Sequence, residues 1–175
     1  MAESKETSFV SWVLANQKEG NKGLMAQLRK AESETTEYQS WELLTRWIDI
    51  EKQWERNAYG LIGASLSRVK TGQDGNLSIG GALRALAFQK EKTLQDLGKS
   101  SEALRLRRLL ACKDQDELIN ILRPLLRYLT TNEIGLSHKR LLKEVLWFGI
   151  EQSQERSKTR WVKDFYFYTP QEEQP

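Results

Sequence analysis

Apolar residues recur along this chain at three- and four-residue intervals, the mark of helices that bury one face. Phe9, Trp12 and Val13 start a short helix that Gly20 and Gly23 interrupt, and Leu24, Met25 and Leu28 continue a second. Tyr38, Trp41, Leu44 and Ile48 form the next stripe, with Trp47 beside it. Ala58, Leu61, Ile62, Ser65, Leu66 and Val69 make a further face, and Gly60, Gly63 and Ala64 leave room there for close helix contact. Thr71-Gly72-Gln73-Asp74-Gly75-Asn76 reads as the clearest loop, because its residues tolerate positive φ. Helix resumes from Ile79 to Phe88, and Gly98-Lys99-Ser100-Ser101 makes a second break.

Past that break the pattern strengthens. Leu104, Leu106, Leu109 and Leu110 precede Lys113, and Asp114 with Glu117 three residues on is a capping box that starts a new helix. Its core face is Leu118, Leu122, Leu125 and Leu129, supported by Ile119 and Leu126. Pro124 falls inside this pattern and predicts a kink or a division near Arg123. Ser137 is the expected N-cap of a helix carrying Leu141, Leu142, Val145 and Leu146, and a last helix places Trp161, Phe165 and Tyr168 on one stripe. The three prolines stand at 124, 170 and 175, and no stretch alternates apolar and polar residues as a strand does. The expected fold is all-α, two small helical bundles packed together, with an N-terminal lobe over 1–98 and a C-terminal lobe over 99–175.

The 175 residues include 39% hydrophobic and 29% charged side chains, enough apolar material for a packed core. No run approaches the ~18 apolar residues of a membrane span. Met1 to Glu6 is polar and acidic, unlike a signal peptide, so the expected compartment is the cytoplasm, away from any membrane. Cys112 and His138 are single occurrences, which excludes disulfide frameworks and Cys/His zinc sites within one chain.

Enzyme motifs fail on their physical requirements. Gly98-Lys99-Ser100 resembles the end of a phosphate-binding loop, but position 93 is Thr where that loop needs a glycine, and no strand precedes it. Gly72, Gly75, Gly80 and Gly81 do not fit the dinucleotide-binding spacing. Neither Asp114 with Asp116 nor Asp49 with Glu51 falls at i, i+4, so neither pair reads as a Mg²⁺ site. His138 is flanked by Ser137, Lys139 and Arg140 without an adjacent acid to orient it, and reads as exposed. Cys112 reads as a small buried residue. The expectation is a protein without catalytic activity, metal or cofactor.

Charge changes the picture. The formal net charge is +3, but residues 1–60 hold 8 basic and 10 acidic side chains, whereas 61–175 hold 19 basic and 14 acidic. Helical spacing gathers the second set into stripes. Arg123 and Arg127 lie i, i+4 with Asn120 a turn before; Arg105 and Arg108 share a face, with Lys113 in the connection after them. Arg156, Arg160 and Lys163 recur at i, i+4, i+7 with Lys158 nearby, and Lys139, Arg140 and Lys143 line the preceding helix. Such stripes suit a phosphate backbone, whose charges are regularly spaced and accept bidentate arginine bonds. Of the six tryptophans, at 12, 41, 47, 54, 147 and 161, at least four sit at core spacing, which limits base stacking to a minority.

The second lobe resembles the small-subunit family of the CRISPR surveillance complex Cascade, CasB of type I-E. Carrying the resemblance are Arg105-Leu106-Arg107-Arg108-Leu109-Leu110-Ala111, Asp114 to Leu118 and Leu122-Arg123-Pro124-Leu125-Leu126. Arg140-Leu141-Leu142, Leu146-Trp147-Phe148-Gly149 and Arg160-Trp161-Val162-Lys163-Asp164-Phe165-Tyr166 complete it. Ser78-Ile79-Gly80-Gly81-Ala82-Leu83 looks like the family's small-residue helix start, and Leu136-Ser137-His138 stands where the family often has Leu-Asp-Trp.

The resemblance implies a non-catalytic subunit, present as two adjacent copies along a complex with the large subunit, the backbone subunits, guide RNA and target DNA. Its basic surface would stabilise the RNA–DNA hybrid and the displaced strand in antiviral defence. The expected phosphate contacts are Arg105, Arg108, Lys113, Arg123, Arg127, Arg156, Lys158 and Arg160, joined by Lys52 and Arg56 through positional similarity. A globule of this length is about 40 Å across, shorter than a displaced strand of ~20 nucleotides, so covering the strand takes two copies in line. The alternative is a helical protein–protein scaffold whose basic face docks acidic partners.

Overall fold

Side-chain caps decide where most of the helices begin. The computed structural model describes residues 2–90 and 92–167 and contains nine α-helices within them. Ser4 caps α1 (Lys5–Lys18), and Gly20, at φ +74°, ends its connection before Asn21 caps α2 (Lys22–Arg29). A 3₁₀ turn at Lys30–Glu32 leads to α3 (Tyr38–Leu44) and then α4 (Gln53–Leu66). Ser78 caps α5 (Ile79–Gln89), and after a second 3₁₀ turn at Leu97–Lys99, Ser100 caps α6 (Ser101–Ala111). The Asp114–Glu117 box starts α7 (Gln115–Thr131): the Glu117 N–H donates to Asp114 Oδ1 at 2.9 Å, and Glu117 Oε2 accepts the Lys113 N–H at 2.7 Å. α8 (His138–Leu146) and α9 (Glu151–Tyr166) are the last helices of the described residues. None of the described helices is long and apolar enough to cross a membrane.

In the first bundle α4 is the hub. Every residue from Ala58 to Ser67 is buried, as expected for a helix enclosed on all sides. Close approach depends on its glycines: a Cβ at Gly60 would stand 3.1 Å from Ala31 Cβ, and one at Gly63 would stand 3.2 Å from Leu28 and Phe9. α7 joins α4 to α6 and α8, while α5 packs most closely on α9, with α6 against both. There the family-like glycine run has a geometric cause, because a Cβ at Gly80 would fall 2.0 Å from the Trp161 carbonyl oxygen. Core residues on both sides of the Gly98 break join in one apolar cluster.

Several local expectations change. α7 runs unbroken through Pro124, which lies on its exposed side. The carbonyl deprived of a donor belongs to Asn120, also exposed and open to water, so no division is needed. α3 is only seven residues long; Tyr38 is exposed, and Ile48 reaches the core from the bend beyond it. Leu104 is exposed as well. Trp161 and Phe165 form the buried stripe of α9, and Tyr168 lies outside the described residues. The loop over 71–76 is not loose. The N–H of Gly75 donates to the Leu136 carbonyl, that of Leu77 to Gly135, and that of Ser137 to Leu77, zipping the loop onto the segment before α8.

Candidate nucleic-acid interface

That zipped loop fixes the start of α8. It delivers Asp74, whose carboxylate accepts the backbone N–H groups of His138 at 2.7 Å and Lys139 at 3.1 Å. Ser137, the expected cap, makes no capping bond. Asp74 also bonds His138 Nδ1 at 3.0 Å, while His138 Nε2 pairs with Ser65 Oγ at 2.9 Å. His138 is therefore 2% exposed, against the sequence expectation, and the acid that orients it comes from 64 residues upstream. Burial pushes the Asp74 carboxyl up, but its bonds to His138 and Lys139 outweigh that and hold it below the ordinary carboxylate value. The order Ser–His–Asp resembles a nucleophile relay. Its hydroxyl end, however, lies buried on α4, outside the 170 Å³ cavity that reaches Asp74 and His138. What this chain of bonds does is lock α8 to α4.

α9 is fixed from its inward side. Trp161 Nε1 donates to Glu144 Oε2 at 2.9 Å, Ser78 Oγ to Asp164 Oδ2 at 2.5 Å, and Arg84 Nη1 to the Phe165 carbonyl at 2.7 Å. At the other flank Gln154 Nε2 donates to the Lys113 carbonyl at 2.9 Å, and Lys158 Nζ to the Cys112 carbonyl at 2.5 Å. With this face engaged, Arg156, Arg160 and Lys163 stand outward, all exposed and none ion-paired among the described residues. Lys139 and Lys143 are likewise exposed on α8, and Arg140 lies between the helices with Asp164 at 3.9 Å. Burial drives the Glu144 carboxyl above its ordinary value, towards the neutral form, and the Trp161, Arg140 and Arg160 interactions counter only part of that.

The ten expected phosphate contacts separate into groups. Arg156 and Arg160 belong to the α8–α9 face, with Lys139, Lys143 and Lys163. Arg108 and Lys113 are exposed around the α6–α7 connection; Lys158 sits beside Lys113, but its ammonium is held by the Cys112 carbonyl and Gln154. Arg105 lies over the Tyr128 ring at 5.0 Å, sharing it with Lys90. On the first bundle, Arg56 donates to the Ile50 carbonyl at 2.6 Å and covers Trp41, and Lys52 has Glu55 at 3.7 Å.

Arg127 is paired with Glu32 at 2.9 Å, and Arg68 binds the same carboxylate at 2.6 Å. Burial would raise Glu32, yet the two guanidiniums hold it below its ordinary value. Arg123 lines a polar cleft of about 400 Å³ with Glu34, Glu37 and Asp116. Asp116 is two turns before Arg123 on α7 itself, but Glu32, Glu34 and Glu37 come from the 3₁₀ turn and the segment before α3, which the periodicity of α7 could not reveal. Trp161 is in the core and Trp12 and Trp47 pack against it, whereas Trp41 is half-buried under Arg56; Trp54 and Trp147 are 40% and 48% exposed and adjoin one another.

The fold and this surface define an all-α, two-bundle protein with an outward cationic face on α8 and α9. Among the described residues no group of three or more His, Cys, Asp or Glu gathers to hold a metal ion. The chain belongs to the CRISPR-associated protein Cse2 family, whose profile matches residues 24–166. Its fold is similar to that of a CRISPR-associated protein of the Cse2 family from Thermus thermophilus. That match has a TM-score of 0.70 at 20% identity and covers 95% of this chain and 100% of the other. CasB of M. ruber is similar to the same degree, with a TM-score of 0.70, 19% identity and 94% of each chain covered. No curated protein sequence matches significantly.

Proposed function

We propose that this chain is a non-catalytic small subunit of a Cascade-type surveillance complex, working in the cytoplasm in antiviral defence. In this reading the α8–α9 face grips the guide RNA–target DNA hybrid and the displaced strand by sequence-independent phosphate contacts. The observation that carries it is the set Arg156, Arg160, Lys163, Lys139 and Lys143, exposed and without an ion pair among the described residues, on two helices whose inward faces are tightly bonded. Rigid cations at one-turn spacing meet phosphates without first breaking ion pairs. Heteroduplex formation roughly balances the duplex it replaces, so backbone contacts of this kind tip the exchange.

Arg108 and Lys113 supply a second cationic edge. Arg105, Lys158, Lys52, Arg56, Arg123 and Arg127, already engaged within the chain or beside its acids, add positive potential more than direct bonds. The large subunit, the backbone subunits and a second copy of this chain are the protein partners in this reading. Titrating labelled single-stranded DNA at several salt concentrations tests it. With five phosphates neutralised, log K falls against log salt with a slope of about -3.5. A slope near zero overturns the reading.

A further inference from the structure

Trp54 and Trp147 are large, apolar and exposed, and the phosphate-binding face does not account for them. Trp54 opens α4 and Trp147 closes α8; their ring centroids stand 6.1 Å apart with planes at 44°. The rings are tilted instead of stacked, so neither covers the other's face. Their positions are fixed from below: Gln115 Nε2 donates to the Trp54 carbonyl at 3.0 Å and to the Val145 carbonyl at 3.1 Å, tying the two helix ends together. An exposed indole pair held by a side chain from a third helix is costly to leave facing water.

The surroundings identify what covers it. Along α8, Lys139, Lys143 and Trp147 recur at i, i+4, i+8, and all three are exposed. Two ammonium groups, neither ion-paired among the described residues, therefore lead to the indoles along one ridge, at steps of about 6 Å. An aliphatic protein surface has no use for those charges beside its contact. A polynucleotide strand has both parts: phosphates for the lysines and flat, apolar π-faces for the rings.

We propose that Trp54 and Trp147 form a stacking platform for one or two unpaired nucleobases of a strand whose phosphates run along Lys143 and Lys139. The proposal rests on the phosphate-binding reading above and adds base contact to it. Stacking of this type is indifferent to sequence, because every base presents a π-face. It also distinguishes single strands from duplex, whose bases are already stacked.

The test compares a 20-mer of thymidine with an abasic 20-mer of equal length and charge, binding the full chain at one salt concentration. The wild type should bind the thymidine strand about tenfold more tightly or better, with quenching of tryptophan fluorescence. Trp54→Ala with Trp147→Ala should abolish that preference while leaving affinity for the abasic strand unchanged. Trp54→Phe with Trp147→Phe should retain most of it, and helical circular dichroism reports whether each variant is folded.

Equal binding of the two strands by the wild type leaves the phosphate reading standing and overturns the platform. So does an undiminished preference in the double alanine variant, or a variant whose defect appears only in assembly with other protein subunits. If neither strand binds, both readings fall.

Discussion

Gly80 and Gly81 are adjacent in the first turn of α5, yet the structure predicts opposite outcomes when each becomes alanine. Helix propensity alone favours alanine at both positions by up to about 1 kcal/mol. At Gly80 the added Cβ would meet the Trp161 carbonyl oxygen at 2.0 Å, its carbon at 2.7 Å and its Cα at 2.8 Å. These are backbone atoms of α9, which cannot swing aside as a side chain does, so the helix must retreat by roughly an ångström. Overpacking of this kind costs typically 1–3 kcal/mol, and a backbone obstacle places Gly80→Ala near about 3. After the propensity gain, the net loss is about 2 kcal/mol, or a melting temperature roughly 4–8 °C lower for a chain of this size. At Gly81 the nearest atoms are Ser78 Oγ at 3.5 Å and Leu77 carbons at 3.6 and 3.7 Å, ordinary contact distances. Gly81→Ala should therefore raise the melting temperature by about 1–4 °C. Thermal unfolding followed by circular dichroism separates the cases. A Gly80→Ala protein that melts no lower than wild type would refute the close packing of α5 on α9.

Asp74→Ala removes the cap of α8 and leaves the His138 and Lys139 donors unanswered, a loss of about 3 kcal/mol by chemical denaturation. Because the folded Asp74 carboxyl lies below 3.8, its contribution is present above that value and fades as pH falls through the folded pKa. The variant should accordingly show a flatter acid limb; an unchanged limb would contradict the assignment. Glu144 runs the other way. Its folded value is raised above 4.5, so native stability declines as pH climbs from there through the folded pKa. Glu144→Gln should narrow the difference in melting temperature between about pH 5 and about pH 8, and a wider gap would count against a strained carboxylate. Arg127→Ala breaks an exposed ion pair while Arg68 remains on Glu32, so stability should change by about 0.5 kcal/mol or less. Single-strand affinity of that variant should stay within about twofold, and a loss approaching tenfold would return Arg127 to the binding face.

Local patterns carried the helices well, and long-range contacts explain what they missed. The Asp114–Glu117 box spans three residues; its forward bond forms as the spacing predicts, and its return bond lands on the Lys113 N–H, one residue before the cap. Adjacency favours Ser137 as the cap of α8, but Asp74 wins, carried in by a backbone zipper. His138 reads as exposed in the sequence for the same reason: Asp74 and Ser65 are 64 and 73 residues away in the chain. Arg123 and Arg127 formed as good a stripe as Arg156 and Arg160. What sets Arg127 apart is Glu32, 95 residues away and met only in the folded chain, and Arg123 shares its cleft with Glu34 and Glu37. The α8 lysines were visible as a stripe, but that their ridge ends at an exposed tryptophan pair required the meeting of α4 with α8.

The α8–α9 face is tested most directly by the salt dependence of single-strand binding after Arg156, Arg160 and Lys163 are all changed to alanine. Counterion release predicts that the slope of log K against log salt becomes shallower by about 2, with affinity reduced for every sequence alike. A triple variant that keeps the wild-type slope would show that these three cations do not meet phosphate.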